Sequence, residues 1–471
     1  MISIKLGNDI LEKHKEYICN ANIEKKINLL SKESEFEKIY KFFNKLSYDF
    51  LQQHEKFCNH ILMEIKKVKD GQDLDSSLFL GKPIILNEKI KCIENEYPLV
   101  CEKFKSTKEE DQDYSNIILD SFTYEDFSLS NEMLIFEEEK IFKEATKANL
   151  SEELKMIKNC DGEHKYNAYH YIKFKRNIKT RINEQISRSA DEEIVNLFNK
   201  LIKQIDEVKI NCSYKNFINN IYDKIQEVYN EFNIYRYNYK IIGIENYREL
   251  KKKNRIKNDK WNAYHFIFEL GLKVCPYCNR QFITPIYWSE GKVRADLDHF
   301  FSKARYPYLS ISIYNLVPCC KFCNSSLKGT KEFNYDEYVN PYEKSIDDIL
   351  KFDYIPSSIK SFSGKDDIKI ILTKKNNIIS SQYLNKANNM VKVFNILELY
   401  NYHKDVVINL IYKRAIYSDT YIDSLVNNFS GLLNSREEAI ELLIGKVNET
   451  KIKDTCLGKL TNDIVEKLDF K

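Results

Sequence analysis

Glycine and proline are scarce in this chain, with 12 and 8 in 471 residues. So few turn formers leave little room for an all-β architecture and favour long helices. No run of about 18 apolar residues occurs, so no membrane span is expected. The opening stretch, MISIKLGNDILEKHKEY, has no apolar segment followed by small residues, and no secretory signal is expected. Charge of one sign is missing too. Lys and Arg number 73 against 70 Asp and Glu, a net charge of +3. Any grip on a polyanion must therefore come from local patches rather than a global field. The twelve cysteines do not space out as a disulfide framework. Five crowd into 275–323, and the rest, at 19, 58, 92, 101, 160, 212 and 456, are scattered. That distribution suits a metal site in the cytoplasm better than a secreted scaffold. No Gly-x-x-x-x-Gly-Lys-Ser/Thr loop is present, so the chain is not expected to hydrolyse ATP itself.

What remains is a globular composition, 43% hydrophobic and 30% charged, long enough for roughly three domains of about 150 residues. Apolar residues recur at helical spacing in three stripes. One runs Phe36, Ile39, Tyr40, Phe43, Phe50; a second Ile194, Leu197, Phe198, Leu201, Ile205, Val208; a third Ile218, Ile221, Tyr222, Ile225, Val228, Tyr229, Phe232. Each reads as the core face of an amphipathic helix. Segments 69–77 and 107–115 read as loops, the second acidic and solvated. Asn167–Ile172 echoes Asn262–Ile267, by chance or as two similarly built helix starts would, rather than as a duplication. The run RELKKKNRIKNDK at 248–260 is either a solvated face or an arm that contacts phosphates. Beyond residue 330, 352–355 and 368–372 read as short strands around a loop at 361–366, and helical spacing returns from Val391. The expected organisation is a helical region over 1–247, a compact core over 248–340 and a mostly helical α+β region over 341–471.

The compact core holds the informative motifs. Cys275-x-x-Cys278 and Cys320-x-x-Cys323 are two knuckles, each placing two sulfurs on one ion at about 2.3 Å. A redox pair is the competing reading, but redox motifs do not come as two paired knuckles. Four thiolates leave no open position, so this zinc site is structural. Cys319 has the wrong spacing to join and reads as a small buried hydrophobe. Between the knuckles, Val293, Ala295 and Leu297 alternate with Arg294, Asp296 and Asp298. This predicts a half-buried strand opened by a hairpin at 289–292, with Asp298 on its polar side. Asn324 is expected to open a helix through Leu327.

Asp298-His299-Phe300, Lys303, Asn315-Leu316, Cys320-Lys-Phe-Cys323-Asn324 and Lys328-Gly329 together resemble the HNH (ββα-metal) endonucleases that carry two Cys-x-x-Cys knuckles. The resemblance covers 275–331. It implies a mainly α protein with a small, zinc-stapled ββα-metal core. It implies that His299 is the general base and that Asp298 and Asn324 give oxygens to a catalytic Mg²⁺ or Mn²⁺. Asn324 stands where many members carry His. Asn315 would orient His299 or its loop. Lys303, Arg305 and Lys328 would be phosphate contacts, with ordinary solvated cations the alternative for the first two. Asp296 reads as a surface residue or a support to the metal ligands. The implied activity is hydrolysis of phosphodiester bonds in DNA, with RNA not excluded. The layout is loosely similar to nuclease subunits of bacterial anti-phage systems, the Septu type and some retron-associated effectors, which work beside an ATPase partner. The competing function is a non-catalytic zinc module that binds nucleic acid or docks a partner.

Overall fold

The computed structural model describes residues 2–32, 46–129, 135–136, 168–186, 192–209, 216–221, 223–225, 227–228, 256–257, 261–288, 291–376, 378–433 and 435–469. It is mainly helical, with four small antiparallel strand pairs among the described residues. No described helix is long and apolar enough to cross a membrane. The chain does not divide into the three consecutive segments expected from sequence. It forms two compact units, one of 1–130, 261–284 and 294–471, the other of 131–260 and 285–293.

In the second unit, helices Ala168–Ile186 and Glu192–Glu207 and helical residues of 216–228 bury one apolar cluster. Phe174, Ile182, Phe198, Leu201, Ile205, Phe217 and Ile221 lie in it. Phe198, Leu201 and Ile205 belong to the second stripe and Ile221 to the third, while Phe174, Ile182 and Phe217 lie in neither. The unit also holds two strand pairs, Ile135–Phe136 with Ile256–Lys257 and Ile286–Trp288 with Gly291–Val293. The first four residues of the 36–50 stripe, Tyr222, Tyr229 and Phe232, and most of the basic run lie outside the described residues. The echo does mark two helix starts, at Ala168 and Ala263, and in the second the Asn262 side chain accepts from the N–H of Tyr264 and His265.

The first unit carries the site. Its single core runs from Ile4 to Val465. Helix Tyr48–Lys69 opens on a Ser47 cap and buries Phe50, Phe57, Ile61 and Ile65. The segment expected to be a solvated loop is instead helix Glu109–Ser121, with Tyr114 and Ile118 fully buried. Its acidic start, Glu109, Glu110 and Asp111, faces the positive end of the helix dipole, where carboxylates stabilise it. The strand expected around 293–297 is split. Val293 ends the hairpin of the second unit, and strand β1, Asp296–His299, pairs antiparallel with β2, Leu316–Cys319. Asp298 faces Val317 across the ladder and is buried rather than on a polar face. The helix after the second knuckle starts earlier than expected, at Phe322, and runs to Lys328 as a π-helix with Asn324 inside it. Strands Leu350–Pro356 and Ile368–Lys374 pair as expected, with helices Ser381–Val393, Ile396–Asn401 and Lys404–Ile416 behind them.

Candidate functional site

The two knuckles meet. Cys275, Cys278, Cys320 and Cys323 are buried, and their sulfurs lie within 4.8 Å of one another, with Cys278 and Cys320 at 4.0 Å. A tetrahedral ion with sulfur arms of about 2.3 Å needs edges of about 3.8 Å, so the donor set fits zinc. Backbone N–H groups point at the sulfurs, Arg280 N to Cys278 Sγ and Cys323 N to Cys320 Sγ, both at 3.4 Å. Hydrogen bonds from Cys275, Cys320 and Cys323 hold the Cys278 thiol well below its ordinary range, and Cys320 is lowered as well, while burial pushes Cys275 up and donation to its three neighbours pushes Cys323 up. A metal ion would take all four sulfurs as thiolates and release their protons. Among the described residues this is the one group of three or more His, Cys, Asp or Glu close enough to hold a metal. Cys319 stays outside it, buried in β2.

The first knuckle ties the metal site to β1. Tyr277 stacks on Phe394 at 4.5 Å, and its hydroxyl donates to Asp298 Oδ2 at 2.6 Å. Burial, then the neighbouring Asp298 charge, push the Tyr277 hydroxyl far up, so it stays a donor. Lys328 Nζ donates to Asp298 Oδ1 and to the His299 carbonyl, both at 2.6 Å, and lies 4.5 Å over the Phe333 ring. Both charged side chains are buried. Lys328, expected at a phosphate, is thus engaged inside the fold.

His299 lies at the end of β1. Its Nε2 faces the Ser310 carbonyl at 2.9 Å, which fixes the proton on that nitrogen. Among the described residues no partner engages Nδ1. The Tyr124 ring meets the imidazole edge-on at 4.6 Å. Burial lowers the His299 pKa to about 3, against the Ser310 bond and helped by the charges of Lys303 and Lys328. The ring is neutral at any ordinary pH.

The side chain of Asn315 hydrogen-bonds the loop rather than His299 itself. Its Oδ1 accepts from Phe301 N at 2.7 Å, and its Nδ2 donates to the carbonyls of Phe301 and Leu309 at 3.0 Å. It staples closed the loop that carries Ser310. The helical N-terminal segment braces the same loop, through Ser312 Oγ to the Leu78 carbonyl at 2.6 Å and His14 Nε2 to the Ile311 carbonyl at 2.7 Å.

These groups open on a cleft of about 360 Å³ lined by Tyr124, Ser128, Arg294, Asp296, Asp298, His299, Lys303, Asn324 and Lys328, among others. Asn324 Nδ2 donates to Asp296 Oδ2 at 3.1 Å, so Asp296 belongs to the site rather than to open surface. Lys303 reaches the cleft. Arg305 does not line it, and its guanidinium pairs with Glu332. Sequence reasoning passed over Tyr124, Ser128 and Arg294. The alternation that marked β1 held a signal for Arg294, but none marked Tyr124 or Ser128, which arrive from a distant helical segment. Scans of family models, curated proteins and solved structures find no match to this chain.

Proposed function

We propose that the chain is a metal-dependent endonuclease of the HNH type, hydrolysing phosphodiester bonds in DNA. The observation that carries this reading is His299, a neutral imidazole with one nitrogen held by a carbonyl, in a cleft shared with Asp298 and Asn324. Such a ring takes a proton from water at its other nitrogen. An anionic phosphodiester in the cleft would favour the imidazolium, raising its pKa toward working pH. Asp298 and Asn324, with Asp296 beside them, are oxygen donors of the kind Mg²⁺ and Mn²⁺ prefer. The Asp298 carboxylate has more lone pairs than its two hydrogen bonds occupy, though Lys328 competes for its charge. When bound, such an ion stabilises charge developing on phosphate oxygens.

The test is cleavage of supercoiled plasmid in Mg²⁺ or Mn²⁺, wild type against His299→Ala at equal zinc content. Wild type is expected to nick or linearise the plasmid, and the variant to lose at least about a hundredfold in rate. Equal cutting by both, or none by wild type, overturns the assignment. Structured RNA in the same assay separates an RNA nuclease from a DNA nuclease. The place in an anti-phage system beside an ATPase partner rests on resemblance alone. Co-purification with the products of neighbouring genes tests it. One observation favours the non-catalytic reading. A carboxylate already matched by a buried lysine can be a structural link. On that reading His299→Ala keeps every function.

A further inference from the structure

The cleft holds two cations, Arg294 and Lys303, that make no ion pair among the described residues, although Asp296 and Asp298 line it too. Arg294 Nη1 donates to the Ala295 carbonyl at 2.8 Å, and Nη2 to the Ser128 carbonyl at 2.8 Å and Ser128 Oγ at 3.0 Å. Its guanidinium lies 5.4 Å over the Tyr264 ring. Three of the five N–H donors of an arginine are thereby used, and two remain. Lys303 Nζ lies 4.6 Å over the Tyr124 ring. Among the described residues no carboxylate stands within ion-pair distance of either cation. The acid whose charge acts on Lys303 is Glu125. Burial, opposed by Glu125, lowers the Lys303 pKa.

The two cations share one support. Ser128 anchors Arg294, the Tyr124 ring carries Lys303, and the same ring meets His299 edge-on at 4.6 Å. A half-buried cation without a paired carboxylate loses hydration and recovers only part of that loss from acids at a distance. Two of them, fixed by one short helix and opening on one cleft, mark a place where an anion supplies the missing charge. Lys328 cannot be that group, because Asp298 already matches it.

We propose that Arg294 and Lys303 form a two-point seat for backbone phosphate oxygens of nucleic acid, held by Tyr124–Ser128 and setting the scissile phosphate against His299. The identity of the anion rests on the nuclease reading; the unpaired placement of the two cations does not. Arginine keeps single donors on Nε and Nη1 and lysine brings a point charge, a pairing that can meet separate phosphate oxygens.

The test is binding of a fluorescent DNA duplex by the full chain without divalent cations, followed by anisotropy across a series of salt concentrations. Lys303→Gln and Arg294→Gln are each expected to weaken binding several-fold and to lower the slope of log K against log salt by about 1. Arg294→Gln also loses the brace on Ser128. Should it fail to fold, Lys303→Gln, which gives up only a ring contact, decides alone. Unchanged affinity and slope in the folded variants overturn the seat. A wild-type chain that binds inorganic phosphate through these residues but not DNA also overturns it, in favour of a free anion. A chain that binds DNA through Arg294 and Lys303 yet never cuts sinks the nuclease reading and leaves the seat standing. A chain that cuts, with binding blind to both residues, does the reverse.

Discussion

At Asp298 one buried carboxylate answers to two neighbours of different kind. Lys328 gives it a counter-charge, and Tyr277 gives it a neutral hydroxyl. The two are not interchangeable. Lys328→Met leaves a buried carboxylate with no opposite charge, and breaking such a pair costs about 3–5 kcal/mol. Tyr277→Phe removes one hydrogen bond to a charged group, worth about 1.5–3 kcal/mol. Urea unfolding should rank the variants in that order, and Asp298→Asn in the Lys328→Met background should recover part of the loss. A Lys328→Met variant within about 1 kcal/mol of wild type would mean that water reaches Asp298. Half of this was legible in the sequence. The Asp-His pair and both knuckles stand out as patterns. That Tyr277 and Lys328 converge on Asp298 from residues 21 and 30 positions away depends on how the knuckle folds back on β1, which no local pattern encodes.

The first knuckle is an element held from both sides. Its own ladder runs Cys275 N to the Gln281 carbonyl, at 2.9 Å. The C-terminal segment then clasps it through Asn279. That residue sits at φ +51°, the left-handed region that asparagine tolerates better than most. Its Nδ2 donates to the carbonyls of Ile452 and Thr455, its Oδ1 accepts from Lys459 N, and its own carbonyl accepts from Leu457 N at 2.7 Å. Tyr400 adds a hydroxyl bond to the Cys278 carbonyl at 2.7 Å. Asn279→Ala therefore combines backbone strain with unpaired buried groups, about 3 kcal/mol together. Asn279→Gly relieves the strain and leaves the groups unpaired, so it should recover only about 1 kcal/mol. Elemental analysis should find one zinc per chain. Both variants should surrender it to a chelator faster than wild type. Zinc retention equal to wild type in Asn279→Ala would show that the clasp does not support the metal site. The cysteine spacing made the ion legible, but the clasp comes from residues some 175 positions on. The acidic segment 107–115 misled for a related reason. Its charges were visible, whereas the buried partners of Tyr114 were not.

The first unit draws on three separate pieces of chain around one core. Sequence reading assigns consecutive stretches to consecutive domains, so it could not see that the helices before residue 130 share a core with the knuckles. Two imidazoles in that shared core make its stability depend on pH. His54 offers Nε2 to the Leu30 carbonyl and Nδ1 to the Tyr114 hydroxyl, both at 2.9 Å. His14 offers Nε2 to the Ile311 carbonyl, and its Nδ1 accepts from Trp261 Nε1 at 3.1 Å. An indole N–H can only donate, so protonating His14 would set two donors face to face. Burial, opposed by the bonds to Ile311 and Leu30, lowers both pKa values to about 4. The unfolded chain takes up these protons near pH 6.5 and the folded chain near pH 4. Stability is therefore complete above about pH 6.5 and falls by about 1.4 kcal/mol per unit for each ring below it. From pH 7.5 to pH 5 the pair accounts for about 4 kcal/mol, and His299, lowered to about 3 in the same unit, adds about 2 kcal/mol, before the carboxylates begin to titrate. Urea unfolding at the two pH values should show that loss. His54→Gln, though less stable at pH 7.5, should show roughly two thirds of it, carried by His14 and His299. A stability that stays flat across this interval would mean that His14 and His54 accept their protons without opening the core, and that the helices before residue 130 are less firmly joined to the zinc-bearing region than their shared packing implies.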